Sequence, residues 1–86
     1  MKYNLYFHPN SLKRLKKIPQ SDRKRVIQKI SSLGKNPFAA NLDIKKLATS
    51  KNCFRIRIGD LRAIYELNHK RKTIYVWEID YRGKVY

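Results

Sequence analysis

The sequence predicts an α+β domain: a small antiparallel or mixed β-sheet covered on one face by an N-terminal hairpin of two helices. The expected order is strand, helix, helix, strand, strand, strand. Three observations carry this. Residues 12–33 place apolar side chains at helical spacing beneath a charged outer face. From residue 52 onward the apolar period changes to two. The chain's 86 residues, 42% hydrophobic and 12% aromatic, suffice for one packed core and not for two, so residues 1–86 are expected to form a single domain.

The first strand is read from "KYNLYFH" (2–8), where Tyr3, Leu5 and Phe7 alternate with Lys2, Asn4 and Tyr6. Pro9 suits the first position of a helix, where its missing N–H costs nothing. Leu12, Leu15 and Ile18 follow at spacings of three, and Pro19 ends that helix. Ser21 is the expected N-cap of the second helix, with Asp22 favourably placed in its first turn. Val26, Ile27, Ile30 and Leu33 form its apolar stripe, Gly34 its expected C′ residue, and Pro37 forbids continuation.

Residues 36–51 read as a long irregular connection. "CFRIRIGDLRAIYEL" (53–67) then reads as a β-hairpin about Gly59-Asp60, a two-residue loop of the kind that prefers Gly first. "TIYVWEID" (73–80) is a further strand after a polar, basic turn, with Tyr75 and Trp77 assigned to the core. The hairpin register follows from its turn. Ile58 faces Leu61, Arg57 faces Arg62, Ile56 faces Ala63 and Phe54 faces Tyr65. Phe54, Ile56, Ile58, Leu61, Ala63 and Tyr65 point one way, towards the helices; Arg55, Arg57, Arg62 and Ile64 point the other.

That register gathers three guanidinium groups, with Arg55 about 7 Å along the face from Arg57. Like charges directly opposite one another destabilise a sheet. They become useful if an anion binds there, because planar guanidinium forks match phosphate oxygens bidentately. The whole chain points the same way. Twenty-one Lys and Arg against six Asp and Glu give +15 at pH 7, spread along the sequence and not confined to a tail. A folded surface so charged attracts polyanions.

Other chemistries find little support. Cys53 has no partner for an intramolecular disulfide, which favours a reducing compartment. The N-terminus lacks the pattern of a signal peptide, and no stretch approaches the roughly twenty apolar residues of a membrane span, so the expected location is the cytoplasm. His8, His69 and Cys53 lack metal-ligand spacing, and no organic cofactor is implied.

The stretches "LKRLKKIP" (12–19), "IKKLATSKNCFRIRIGDLRAIYEL" (44–67) and "YVWEIDYRGKVY" (75–86) resemble the RelE toxins of the RelE/ParE toxin–antitoxin superfamily. The resemblance covers nearly the whole chain. It implies a ribosome-dependent mRNA endonuclease, independent of metal, that cuts in the ribosomal A site by 2′-OH attack on the adjacent phosphorus. It also implies a RelB-like antitoxin as partner, beside the ribosome and mRNA. The family's site positions fall on Arg55, Arg57, Arg62, Arg82 and Tyr86. Arg62 and Arg82 are candidates to stabilise charge on the phosphate oxygens. Tyr86 either stacks on a base or takes part in proton transfer. Lys46, Tyr81 and Lys84, with Lys13, Lys17 and Arg25, are the expected wider contacts to RNA or ribosome. Arg55 and Arg57 stand where some relatives carry lysine, and Tyr81 where some carry histidine, which leaves the general base unassigned. Two other functions stay open: a non-nucleolytic inhibitor of DNA gyrase, as in the ParE branch, and an inactive RNA-binding module.

Overall fold

Three prolines and one glycine turn punctuate the chain. A computed structural model describes residues 2–48 and 50–81. The elements are β1 (Asn4–Phe7), α1 (Pro9–Lys17), α2 (Gln20–Lys35), β2 (Asp43–Lys46), β3 (Cys53–Ile58), β4 (Leu61–Asn68) and β5 (Thr73–Tyr81). They build one five-stranded sheet in the order β1-β5-β4-β3-β2, with β1 parallel to β5 and the remaining pairs antiparallel. The α+β class and the mixed sheet are as expected. The extra strand is a correction: part of the segment 36–51, read as irregular, pairs with β3.

The helices differ from expectation in detail. In α1 the fully buried residue is Ser11, while Leu12 is 42% exposed. Ser11 is small enough to let α1 settle on β5, and its hydroxyl donates to the carbonyls of His8 (2.7 Å) and Val76 (3.1 Å). The inward line of this segment is therefore Ser11, Leu15 and Ile18, a spacing of four and three; Leu12 lies about 100° round the helix from Ser11. Helix α2 starts at Gln20, and its N-cap is Pro19, ahead of the expected Ser21; the Pro19 carbonyl accepts from Arg23 N–H at 2.9 Å. Val26, Ile30 and Leu33 are buried as expected, but Ile27 is exposed.

Gly34 is not the C′ residue. It lies inside α2, which continues to Lys35 and ends at Asn36 before Pro37. Its reason is close packing: a Cβ there would stand 3.2 Å from Leu5 Cδ1. The Gly34 carbonyl also accepts from Tyr3 N–H at 2.7 Å, tying the helix end to the start of β1. Arg23 joins the two helices. Its guanidinium donates to the Leu15, Lys16 and Ile18 carbonyls, satisfying the C-terminal groups of α1 that have no helical partner.

The core lies on one face of the sheet. Ile56, Ile58, Leu61, Ala63, Tyr65, Leu67, Ile74, Val76 and Ile79 are buried with Val26, Ile30 and Leu33 of α2. Each buried Val, Leu or Ile side chain contributes about 1.5–3 kcal/mol through removal from water. Burial pushes the Tyr65 phenol far above its ordinary pKa, so it stays neutral. In β5 the buried set runs Ile74, Val76, then Ile79, because the pairing with β4 shifts register between Ile64 and Tyr65. Ile64 pairs with Glu78 and Tyr65 with Val76, leaving Trp77 as the extra residue of a β-bulge. Trp77 is consequently 43% exposed and not in the core, and Tyr75 lies on the open face opposite Glu66.

Candidate nucleic-acid interface

The β3–β4 hairpin sets the site. Gly59 has φ +59°, the left-handed backbone that glycine adopts freely, and the pairs Ile58–Leu61, Arg57–Arg62, Ile56–Ala63 and Phe54–Tyr65 stand in the expected register. With the apolar members turned into the core, Arg55, Arg57 and Arg62 are held on the opposite face. Strand β2 completes the arrangement, since Asp43 pairs with Arg57 and Lys45 with Arg55. One row across four strands thus reads Asp43, Arg57, Arg62, Asp80: two guanidinium groups bracketed by two carboxylates.

Arg55, Arg57, Arg62, Lys45 and Lys46 line a cleft of about 520 Å³ together with Asp43, Leu47 and Ala48. Five cations face one carboxylate. Asp43 Oδ1 stands 3.4 Å from Arg55 Nη2, longer than the roughly 2.7–2.9 Å of a strong charge-assisted bond. Arg55 is only 7% exposed, and the Nε–H donors of Arg55 and Arg57 are buried with no hydrogen-bond acceptor among the described residues. Burying like charges side by side costs stability, which a fold tolerates where the charge serves binding. On the far side Asp80, 7% exposed, receives Arg14 Nη2 at 3.3 Å and Tyr81 N–H at 2.8 Å. The arginine pair is therefore buttressed at its β5 end by a carboxylate that α1 holds in place.

Of the residues singled out from sequence, the cleft brings together Arg55, Arg57, Arg62 and Lys46. Tyr81 is turned elsewhere: its hydroxyl donates to Asp22 Oδ2 of α2 at 2.8 Å. That hydrogen bond, then burial and the charges of Asp22, Asp80 and Asp60, raise the phenol above its ordinary pKa. It stays protonated near neutral pH. Lys13 and Lys17 are exposed on α1 and do not line the cleft; Arg25 on α2 reaches the β3–β4 turn, its Nη1 3.1 Å from where a Cβ on Gly59 would stand. Arg82, Lys84 and Tyr86 lie outside the described residues. Sequence reading missed Lys45 and Asp43 as cleft residues. Both belong to the unexpected strand, whose four residues carry a single apolar side chain, Ile44, too few to show a period.

The comparisons agree with this fold. Residues 5–86 match the model of the family described as the ParE toxin of the type II toxin–antitoxin system parDE. A candidate RelE1 toxin of Methanocaldococcus jannaschii is 34% identical over all of this chain and 97% of its own length. Among solved structures, the archaeal RelE–RelB complex from Pyrococcus horikoshii matches with a TM-score of 0.85 and 28% identity, covering 99% of this chain and 100% of that one. The RelB–RelE antitoxin–toxin complex from Methanococcus jannaschii matches with a TM-score of 0.78 and 32% identity, over 94% of each chain. The isolated RelE toxin of E. coli shares the fold, with a TM-score of 0.78 at 22% identity over 98% of this chain and 90% of that one. The chain belongs to the RelE/ParE toxin family, as a RelE-like toxin of a type II toxin–antitoxin system.

Proposed function

We propose that the protein is a ribosome-dependent mRNA endonuclease that arrests translation and is neutralised by a RelB-like antitoxin. The observation that carries the reading is the cleft in which Arg55, Arg57 and Arg62 converge with Lys45 and Lys46. In-line attack of a ribose 2′-OH on the adjacent phosphorus forms the O2′–P bond, breaks the P–O5′ bond, and leaves a cyclic phosphate and a free 5′-OH. Negative charge grows on the non-bridging oxygens along that path. Guanidinium groups fixed beforehand by β-pairing stabilise it more in the transition state than in the ground state. The basic surface supplies attraction to mRNA and ribosomal RNA, and phosphate contacts make that attraction fall with added salt. Arg82 and Tyr86 extend the site on this reading, with Lys84 as a backbone contact. No cofactor or metal is invoked, and the cytoplasm is where these partners meet. The antitoxin partner is supported by the RelB bound in the archaeal relatives of known structure.

Mapping transcript 5′ ends after brief induction tests this. New ends inside ribosome-occupied codons are expected; arrest of growth with unaltered ends overturns the endonuclease. A second reading, inhibition of DNA gyrase, draws on the ParE description of the matched family. A supercoiling assay run beside the 5′-end mapping separates the two.

A further inference from the structure

The bulge in β5 produces a second feature on the face that carries the arginines. Trp77 and Tyr6 are 43% and 51% exposed, and Tyr6 stands beside Tyr75 in the parallel β1–β5 register. The Tyr75 and Trp77 rings lie 4.6 Å apart, and the His8 ring lies 5.4 Å from Trp77 at a 31° tilt. Trp77 is not loose: its Nε1–H donates to Glu66 Oε1 at 3.2 Å across to β4. Tyr6, Tyr75 and Trp77 wall a groove of about 480 Å³ that Glu66, Asn68, Thr73 and Arg71 complete.

An exposed tryptophan fixed by a hydrogen bond and flanked by rings is costly to leave in water unless something stacks on it. We propose that this groove is a nucleobase-binding subsite for single-stranded RNA, separate from the arginine cleft. Its composition fits a base better than a peptide or a lipid. The aromatic faces offer stacking that every base can accept. The Asn68 amide and the Glu66 carboxylate can hydrogen-bond a base edge, glutamate accepting from an exocyclic amine. Arg71, which lines the groove, offers a cation to the phosphate of that nucleotide. Glu66 also explains how an acidic residue belongs on an RNA-binding face: it orients the indole and reads a base, and does not face a phosphate.

Placement links the two sites. Arg62, Ile64 and Glu66 share one face of β4, so the groove begins about 13 Å along the strand from Arg62. That spans a few nucleotides at the spacing of about 3.4 Å per stacked base. On the endonuclease reading, from which this subsite takes its strand, the groove grips the message beyond the cut and contributes to base preference.

Trp77 is the only tryptophan of the chain, so its fluorescence reports on the groove alone. Titrating the full-length protein with short single-stranded oligoadenylate should quench it saturably. Inorganic polyphosphate, which has charge and no bases, should bind and leave it unquenched. Tyr6→Ala and Tyr75→Ala should each weaken the quenching interaction about tenfold, and Trp77→Phe should retain most oligonucleotide affinity measured by anisotropy where Trp77→Ala does not. Oligonucleotide that binds by anisotropy without quenching overturns the subsite, as does quenching by an acidic peptide in place of RNA. Neither result touches the 5′-end mapping, so the subsite and the endonuclease can fail separately. Quenching that persists in a protein producing no new 5′ ends would keep the subsite and discard the nuclease.

Discussion

The two faces of the β3–β4 hairpin obey one rule and serve opposite ends. On the inner face Ile56, Ile58, Leu61, Ala63 and Tyr65 are almost wholly buried and give the fold its stability. On the outer face, one residue out of step, Arg55, Arg57 and Arg62 crowd like charges together. A slip of one residue would send the arginines into the core and the isoleucines into water, so the core specifies the site's register. Stability and the gathering of the arginines are set by the same alternation, with the inner face offsetting a cost carried by the outer one.

The largest effect is expected on the inner face. Ile56→Ala should cost about 2–5 kcal/mol by transfer and cavity terms, a large share of a small domain's stability. Urea unfolding checks it, and a loss well under 1 kcal/mol would deny the inner face its role. Next in size, Arg62→Ala should lower cleavage of ribosome-bound mRNA by about 10²–10³-fold, as loss of one charge-stabilising donor does. Its urea midpoint should move far less than that of Ile56→Ala; a folded variant that cuts like the parent sinks the site assignment.

Arg57→Thr sharpens the contrast further, because the outer face should then gain stability while losing function. Removing one of two like charges facing each other should stabilise the sheet by about 0.2–1 kcal/mol. The same change should weaken RNA binding and reduce the salt slope by about one. A destabilised variant would mean that Arg57 supports the fold.

The smallest effect concerns the end of β5. Tyr81 donates to Asp22 only while protonated, and its folded pKa is raised. Its contribution is therefore present in full below the ordinary tyrosine value of about 10, and is lost as pH rises through the raised value. Tyr81→Phe should lower the melting midpoint slightly at pH 8, and the gap from the parent should close above about pH 10. A gap that widens with pH would contradict this sign.

Much of this was legible in one dimension. The Gly59-Asp60 turn and the strict alternation on either side fixed both the pairing of Arg57 with Arg62 and the face they share, because period and turn length leave a single register. The prolines at 9, 19 and 37 bounded the helices for an equally local reason, the geometry of a ring without an N–H. Other features depend on residues far apart in sequence. Strand β2 is a strand because β3 offers it an edge, and four mostly charged residues carry no period of their own. Gly34 is a packing residue within α2, with Leu5 Cδ1 3.2 Å from where a Cβ would stand. Ser11 is buried and Leu12 exposed because α1 must approach β5 closely. Trp77 faces water because β5 bulges against β4, which no alternation in "TIYVWEID" records. Local sequence determines backbone period and turn type, since those arise from steric rules a few residues long; which neighbour fills or denies a space is settled only when the elements meet.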